Sequence, residues 1–512
     1  MGSRARVLPM RTHWGLVGSR RSSWLCFAPG PIIWLLLYFG ILRNGGRFLY
    51  EERFGLMQAL DPNAVAEQFW PSLITLHTQP PLLNGLYALT DGPDAPRTLG
   101  LIYAVASMIT ILMVIHTVRL VGLEARWAAV AGVMYALLPG TVLYSLFPYS
   151  TTVVALFMIA CIWGVALARL RPGLGIVVSG LAATGLFLTR ASFAWAFALA
   201  WLVALGFLLR RLGPLRREAG AIGVLATCAV VIVVLQAHYL TAFGTPTLSS
   251  WSGQNLYGAV SELGLSPEAK AALAAESPCF AELVAVGAWQ PASAYPVCLG
   301  ESGTPISGSI ALDEADKRSP GVGMNHNSGE LLLLSERWSA LSRAALMQEP
   351  AAEWRLIAGS DGRDGSIALF LGRSDIYYET LDLQKTFAPW MWSALGAWSW
   401  LFPKLAWAIL LLALLRAAVD RAARRRFPTA FWFASGLLMF HAAVSVAAEY
   451  GENQRFRAEA DPVLVVAALL AFVSLLDWRR GAVPSACAED RRSEDDDTLP
   501  SGAVGVWGLP GT

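Results

Sequence analysis

Charge is what this chain has least of: Asp, Glu, Lys and Arg make up only 15% of its 512 residues, against 55% hydrophobic ones. A net charge of +2 gives a nucleic-acid partner no electrostatic support. The compact motifs of soluble enzymes are missing too. There is no phosphate-cradling P-loop, no dinucleotide fingerprint following a strand, no paired CxxC spacing, no HExxH helix and no evident internal repeat. Cysteines number six. Cys26, Cys161 and Cys228 fall in apolar runs and Cys487 in the C-terminal tail, where buried or unreactive thiols are the ordinary reading. Cys279 and Cys298 alone lie in a polar stretch. An oxidising compartment would let them pair, and the sequence leaves that open.

What is abundant is apolar length. With 20 Trp, 22 Phe and a mean hydropathy of +0.49, the chain holds several windows long enough to cross a hydrocarbon core of ~30 Å. The expected fold is an all-α polytopic membrane protein with about ten transmembrane helices. The runs are Trp24 to Leu42, Thr98 to Leu120, Trp127 to Phe147, Thr151 to Leu170, Gly173 to Leu188, Ala191 to Leu209, Ala221 to Leu240, Ala394 to Leu415, Pro428 to Ala448 and Val463 to Leu476. Arginine clusters test the count. The basic stretch 1–22, Arg119 with Arg126, Arg169 with Arg171, Arg210 to Arg217, Arg416 to Arg426, and Arg479 with Arg480 all fall on one side. That places both termini in the cytoplasm and the chain in the cytoplasmic membrane. The expected organisation is a basic N-terminus over 1–22, seven spans within 23–240 that include a first outer loop at 43–97, and an outer domain over 241–390. Three further spans follow within 391–477, then a disordered, charged cytoplasmic tail over 478–512. Apolar residues at helical spacing in Phe54 to Leu60 and Ala64 to Leu76 predict helices lying in the membrane interface.

Such a chain has little reason to keep polar residues beside a membrane unless they bind or react. The first outer loop carries Glu51, Glu52 and Asp61, then His77, Gln79, Pro80, Pro81 and Asn84. Asp61-Pro62 reads equally as a helix N-cap and as a carboxylate available to act as a base. The double proline starts a helix, and His77 and Gln79 before it would border any cavity at that helix start. Arg190, Arg455 and Arg457 lie on the side that the positive-inside bias disfavours. Pairing with Glu and Asp neighbours at an exposed turn and binding of a phosphate account for them equally. Arg455 and Arg457, two residues apart after Gly451 and Asn453, would face one site if that segment turns.

These residues carry a resemblance. The loop with Asp61, the run Leu76-His77-Thr78-Gln79-Pro80-Pro81-Leu82-Leu83-Asn84, Leu188-Thr189-Arg190, Ser249-Ser250-Trp251 and Glu452-Asn453-Gln454-Arg455-Phe456-Arg457 resemble the polytopic C-type glycosyltransferases. The nearest branch is that of protein O-mannosyltransferase and aminoarabinose-transferase-like bacterial membrane proteins. The resemblance spans roughly Trp24 to Leu476 and rests more on layout than on motif. It implies transfer of a sugar from a polyprenyl-phosphate carrier to an outer-face acceptor, with Asp61 acting at the acceptor. Glu51, Glu52, His77, Gln79 and Asn84 would contact acceptor or donor, and Arg190, Arg455 and Arg457 the lipid phosphate. Where the mannosyltransferases have an adjacent Asp-Glu pair, this chain has a single Asp61 with Glu51-Glu52 earlier, so the acting carboxylate stays open. A divalent metal also stays open, and no other cofactor is implied. The alternative class is a transporter or flippase for a lipid-linked or small anionic solute, which predicts ionisable residues deep in the spans and broken helices at mid-membrane.

Overall fold

The computed structural model describes residues 25–50, 59–212, 218–244, 248–263, 265–288, 290–318, 324–360, 363–372, 389–448 and 453–479. Glu51, Glu52, the basic N-terminal stretch and the C-terminal tail lie outside them. Eight described helices are long and apolar enough to cross a bilayer: Leu25–Arg43, Ala95–Leu120, Pro172–Thr189, Trp195–Leu212, Ala219–Phe243, Ser393–Val419, Thr429–Ala447 and Arg455–Leu476. The other two apolar runs form a 17-residue helix, Thr151–Leu167, and a pair, Ala125–Ala136 with Pro139–Leu146, bent by 68°. The bend follows from Pro139, which lacks a backbone N–H and pushes Leu138 out of helical geometry to an extended ψ of 118°. The chain is therefore an all-α polytopic membrane protein.

The helices pack around one large apolar core. A close approach joins Thr151–Leu167 to Pro172–Thr189, where a Cβ on Gly164 would lie 2.6 Å from the Gly175 carbonyl oxygen. Without hydrophobic drive between helices in lipid, such small-residue contacts supply the van der Waals packing. The last helix, Asn453–Arg479, is the hub. It packs against Pro389–Val419, Thr429–Ala448, Thr151–Leu167 and Ala95–Leu120.

Two local expectations are corrected. The stretch around Arg455 and Arg457 is no exposed turn: one helix runs from Asn453 through Pro462 to Arg479, and both arginines are fully buried. Proline inside a membrane helix is tolerated when neighbouring helices take up the backbone group it frees. Ala64 to Leu76 is not one helix either. It breaks at Gln68 (φ −136°, ψ 65°) into Pro62–Glu67 and Phe69–Ile74, because the Pro71 ring excludes the Glu67 carbonyl that a continuous helix would place against it. Ala64, Val65, Ser72 and Leu73 face the protein, while Trp70 and Ile74 are exposed on the opposite side. Of the run Phe54 to Leu60, residues 54–58 lie outside the described residues, and Ala59 and Leu60 are not helical.

Between Ala219–Phe243 and Ser393–Val419, the helices Pro267–Glu276, Pro278–Val286 and Gly329–Gln348 each start on a serine. Ser266, Ser277 and Ser328 accept the N–H groups of Ala269, Phe280 and Leu331, which otherwise have no partner inside a helix. This segment has its own core around Tyr257, Leu273, Leu283, Tyr295 and Trp338. Cys279 and Cys298 are joined by a disulfide across a sequence separation of 19 residues. Changing both cysteines to serine should lower the stability of this cluster by about 3 kcal/mol. Faster amide exchange over 265–302, with the membrane helices unchanged, is the expected readout. Unchanged exchange would show that ring packing alone holds the cluster.

Candidate functional site

Asp61 stands where Asp-Pro places it, as the N-cap of Pro62–Glu67, its Oδ1 accepting the Asn63 N–H at 2.7 Å. It is 6% exposed. Its neighbour Leu60 donates its N–H to Asn84 Oδ1 at 2.8 Å, which ties the loop to the helix Pro81–Leu89 that the double proline starts. Asn84 thus positions the loop backbone. Gln79 is half-buried, and its carbonyl accepts the Tyr239 hydroxyl at 3.3 Å.

His77 is fully buried, with both ring nitrogens engaged. Nε2 lies 3.3 Å from the Ser328 carbonyl, which can only accept, so Nε2 carries the proton and Nδ1 accepts from the Ser250 hydroxyl at 2.7 Å. Burial pushes the ring's pKa down to about 4, outweighing its backbone contacts at Ser328 and Asn327, so it is neutral near pH 7. The His77 N–H donates to Asn327 Oδ1 at 2.8 Å, and the Asn327 amide returns to the Thr75 carbonyl at 3.2 Å. Tyr239, His238 and Ser309 take further hold of the turn 74–79 through Leu76, Ile74 and Thr75. The His77, Ser249-Ser250-Trp251 and Asn325-His326-Asn327 stretches therefore form one lock. It holds the turn 74–79 that follows the Asp61 loop, and both ring nitrogens of His77 are engaged within it.

Lys317, which sequence reasoning missed, lies beside that lock. It is 8% exposed and close enough to Asp61 and His326 to interact electrostatically with both. Burial lowers its pKa to about 8 against the opposing pull of Asp61. Burial and then the Lys317 ammonium hold His326 at about 4, with its ring set edge-on to Trp251 at 5.4 Å. In the sequence Lys317 passes for half of a solvated pair with Arg318, whose guanidinium is in fact taken by Glu314 and Glu67.

The second part of the site is a buried ionic cluster at the start of Asn453–Arg479. Arg190 Nη1 binds Glu459 Oε1 at 2.6 Å and Ser150 Oγ at 3.2 Å, and its guanidinium covers the Phe456 ring at 3.7 Å. His441 donates from Nε2 to the Phe456 carbonyl at 2.7 Å and stacks on Phe193. Arg457 reaches Asp461 at 3.8 Å and the Ser399 carbonyl at 3.4 Å. Arg455 lies over the Tyr149 ring at 4.3 Å. Two residues apart on a helix, Arg455 and Arg457 project to nearly opposite sides, so they do not share one pocket as a turn would have allowed. Among the described residues the cluster brings together three guanidiniums, two carboxylates and a histidine.

The two parts meet through Tyr87, one turn beyond Asn84 on Pro81–Leu89. Its hydroxyl donates to the Pro148 carbonyl, next to the Tyr149 ring that carries Arg455, and Ala59, Tyr87, Tyr149 and Ala458 share one cluster. Tyr87 thus links the Asp61 loop to the connection whose Tyr149 ring lies under Arg455. Among the described residues no three His, Cys, Asp or Glu side chains gather as a metal-holding group.

A lysine at about 8 when folded and 10.5 when unfolded binds its proton more readily in the unfolded chain, so its charge costs stability at every pH below about 8. Lys317→Met should therefore raise stability at pH 7 by roughly 1–3 kcal/mol, and the gain should fade as pH rises from 8 to 10.5. Denaturant unfolding across that range checks it; a variant no more stable than the wild type at pH 7 would show that Asp61 fully offsets the burial cost. No family model, curated protein or solved structure matches this chain.

Proposed function

We propose that the chain is a membrane glycosyltransferase that moves a sugar from a polyprenyl-phosphate carrier to an acceptor on the outer face of the cytoplasmic membrane. The observation that carries this reading is the gathering of three buried guanidiniums, Arg190, Arg455 and Arg457, around the start of the last helix, which Tyr87 links to the loop that carries Asp61. Guanidinium forks at the end of a membrane helix suit a lipid phosphate. In this reading Asp61 takes the acceptor's proton as the sugar–phosphate bond breaks, and the guanidiniums balance the charge that grows on the departing phosphate. Lys317 adds a second cation beside Asp61.

Parity supports a ten-span arrangement. The Asp61 loop and the 241–390 segment are hydrogen-bonded to each other, so an even number of crossings separates them. Ser150 and Arg190 meet at one end, so Thr151–Leu167 must cross if Pro172–Thr189 does, and the bent pair is then needed to keep the number even. A reporter at Gly300 should read as outer and one at Arg424 as cytoplasmic. Both on one side would sink this arrangement.

The flippase or transporter reading gains one observation, the 68° break between Ala136 and Pro139 in a bundle with buried ionisable groups. The position of those groups favours the enzyme. Arg455 to Asp461 occupy the first ~12 Å of a helix about 40 Å long, at one end and not at mid-membrane.

Turnover of a polyprenyl-phosphate sugar by folded protein in detergent tests the transferase. Asp61→Asn keeps the cap and removes the base, and should abolish most transfer. Arg455→Ala should raise the barrier by roughly 2–4 kcal/mol, with partial recovery in Arg455→Lys, which keeps the charge and loses the fork. Undiminished transfer in both Asp61→Asn and Arg455→Ala would overturn the assignment.

A further inference from the structure

A groove of about 780 Å³ lies between the first membrane helix, with the stretch 46–50 that follows it, and Ala95–Leu120. Trp34 and Tyr38 line one side, Ala104 and Met108 the other, and Phe48 lies across Gly100. From Pro96 to Met108 the lining runs about 18 Å along its helix, slightly more than the ~15 Å depth of one leaflet. Phe39 and Leu101 at its border are exposed, so bilayer lipid enters sideways. At one end stand Arg47 and Arg97. Arg47 is exposed, and Arg97 is 90% exposed with Asp94 no nearer than 4.0 Å, so both guanidiniums are available at the helix ends where headgroups sit.

We infer that this groove is a binding site for an anionic phospholipid, its acyl chain lying between the two helices and its phosphate against Arg47 and Arg97. Charge complementarity selects the anionic headgroup, and the length of the groove selects the tail. A chain confined to one leaflet fits it, whereas a carrier of many isoprene units would run on past its apolar end. The site is separate from the arginine cluster and does not depend on the transferase reading. Arg47 and Arg97 stand on the disfavoured side of the membrane, and a lipid headgroup gives them a function there.

Native mass spectrometry of the full chain, delipidated and then offered phosphatidylglycerol, phosphatidylcholine or undecaprenyl phosphate at equal concentration, tests it. The expected result is one retained phosphatidylglycerol per chain, preferred over phosphatidylcholine by about tenfold. Arg47→Ala with Arg97→Ala should lose that preference while still binding lipid. Ala104→Trp, which fills the groove and leaves both arginines in place, should retain none, with unchanged helical content and a single gel-filtration species as the folding control. Equal retention of the two phospholipids by the wild type, a preference that survives the double arginine change, or retention by Ala104→Trp overturns the proposal. So does displacement of phosphatidylglycerol by undecaprenyl phosphate, which would give the groove to the carrier.

Discussion

Burying a guanidinium among membrane helices is tolerated only when a counter-charge and hydrogen-bond acceptors come with it, and the pairing of Arg190 with Glu459 meets that condition for this fold. The pair joins the end of one membrane helix to the start of the last, and much else is arranged around it. Phe456 lies under the arginine, His441 is turned by the Phe456 carbonyl, and Ser150 fixes the connection that carries Tyr149. Removing either partner would take a buried counter-charge from the other, at a cost of roughly 3–5 kcal/mol. The cluster is therefore both scaffold and candidate site.

The Asp61 loop is held by a different kind of interaction. Its lock is built from neutral groups, a histidine kept unprotonated by burial and two asparagines whose amides bridge backbone atoms. Neutral hydrogen bonds fix position without competing for a charged ligand. A carboxylate and an ammonium, Asp61 and Lys317, remain as the ionisable pair of that region, and the burial of the lysine costs stability that packing alone would not demand. Groups retained against their own stability cost are where chemistry is most reasonably sought.

Much of the architecture was legible because the bilayer imposes a simple rule, and the apolar runs obey it. Asp61-Pro62 and Pro80-Pro81 also declared their helix starts, since capping is local chemistry. The stretch from Asn453 to Asp461 was misread because dense charge normally means solvent. What buries it lies far away in sequence, in Arg190, Ser399, Tyr149 and His441, and no local pattern announces that. Lys317 was overlooked for the same reason. His77 drew notice as a lone polar residue beside prolines, but only the placement of Ser250 and Ser328 reveals that both of its nitrogens are used internally.

The sequence distance between partners has a consequence for biosynthesis. Glu459 follows Arg190 by 269 residues, and Asn327 follows His77 by 250. At ~5–20 residues per second, each earlier residue waits on the order of tens of seconds for its mate to be translated. During that interval the arginine must stay near the headgroups or in water, since a lone charge at the centre of a bilayer costs at least ~2.5 kcal/mol. The final helix therefore closes the assembly. A ribosome that stalled or terminated before residue 459 would leave a nascent bundle with an uncompensated cation, a marked substrate for membrane quality control.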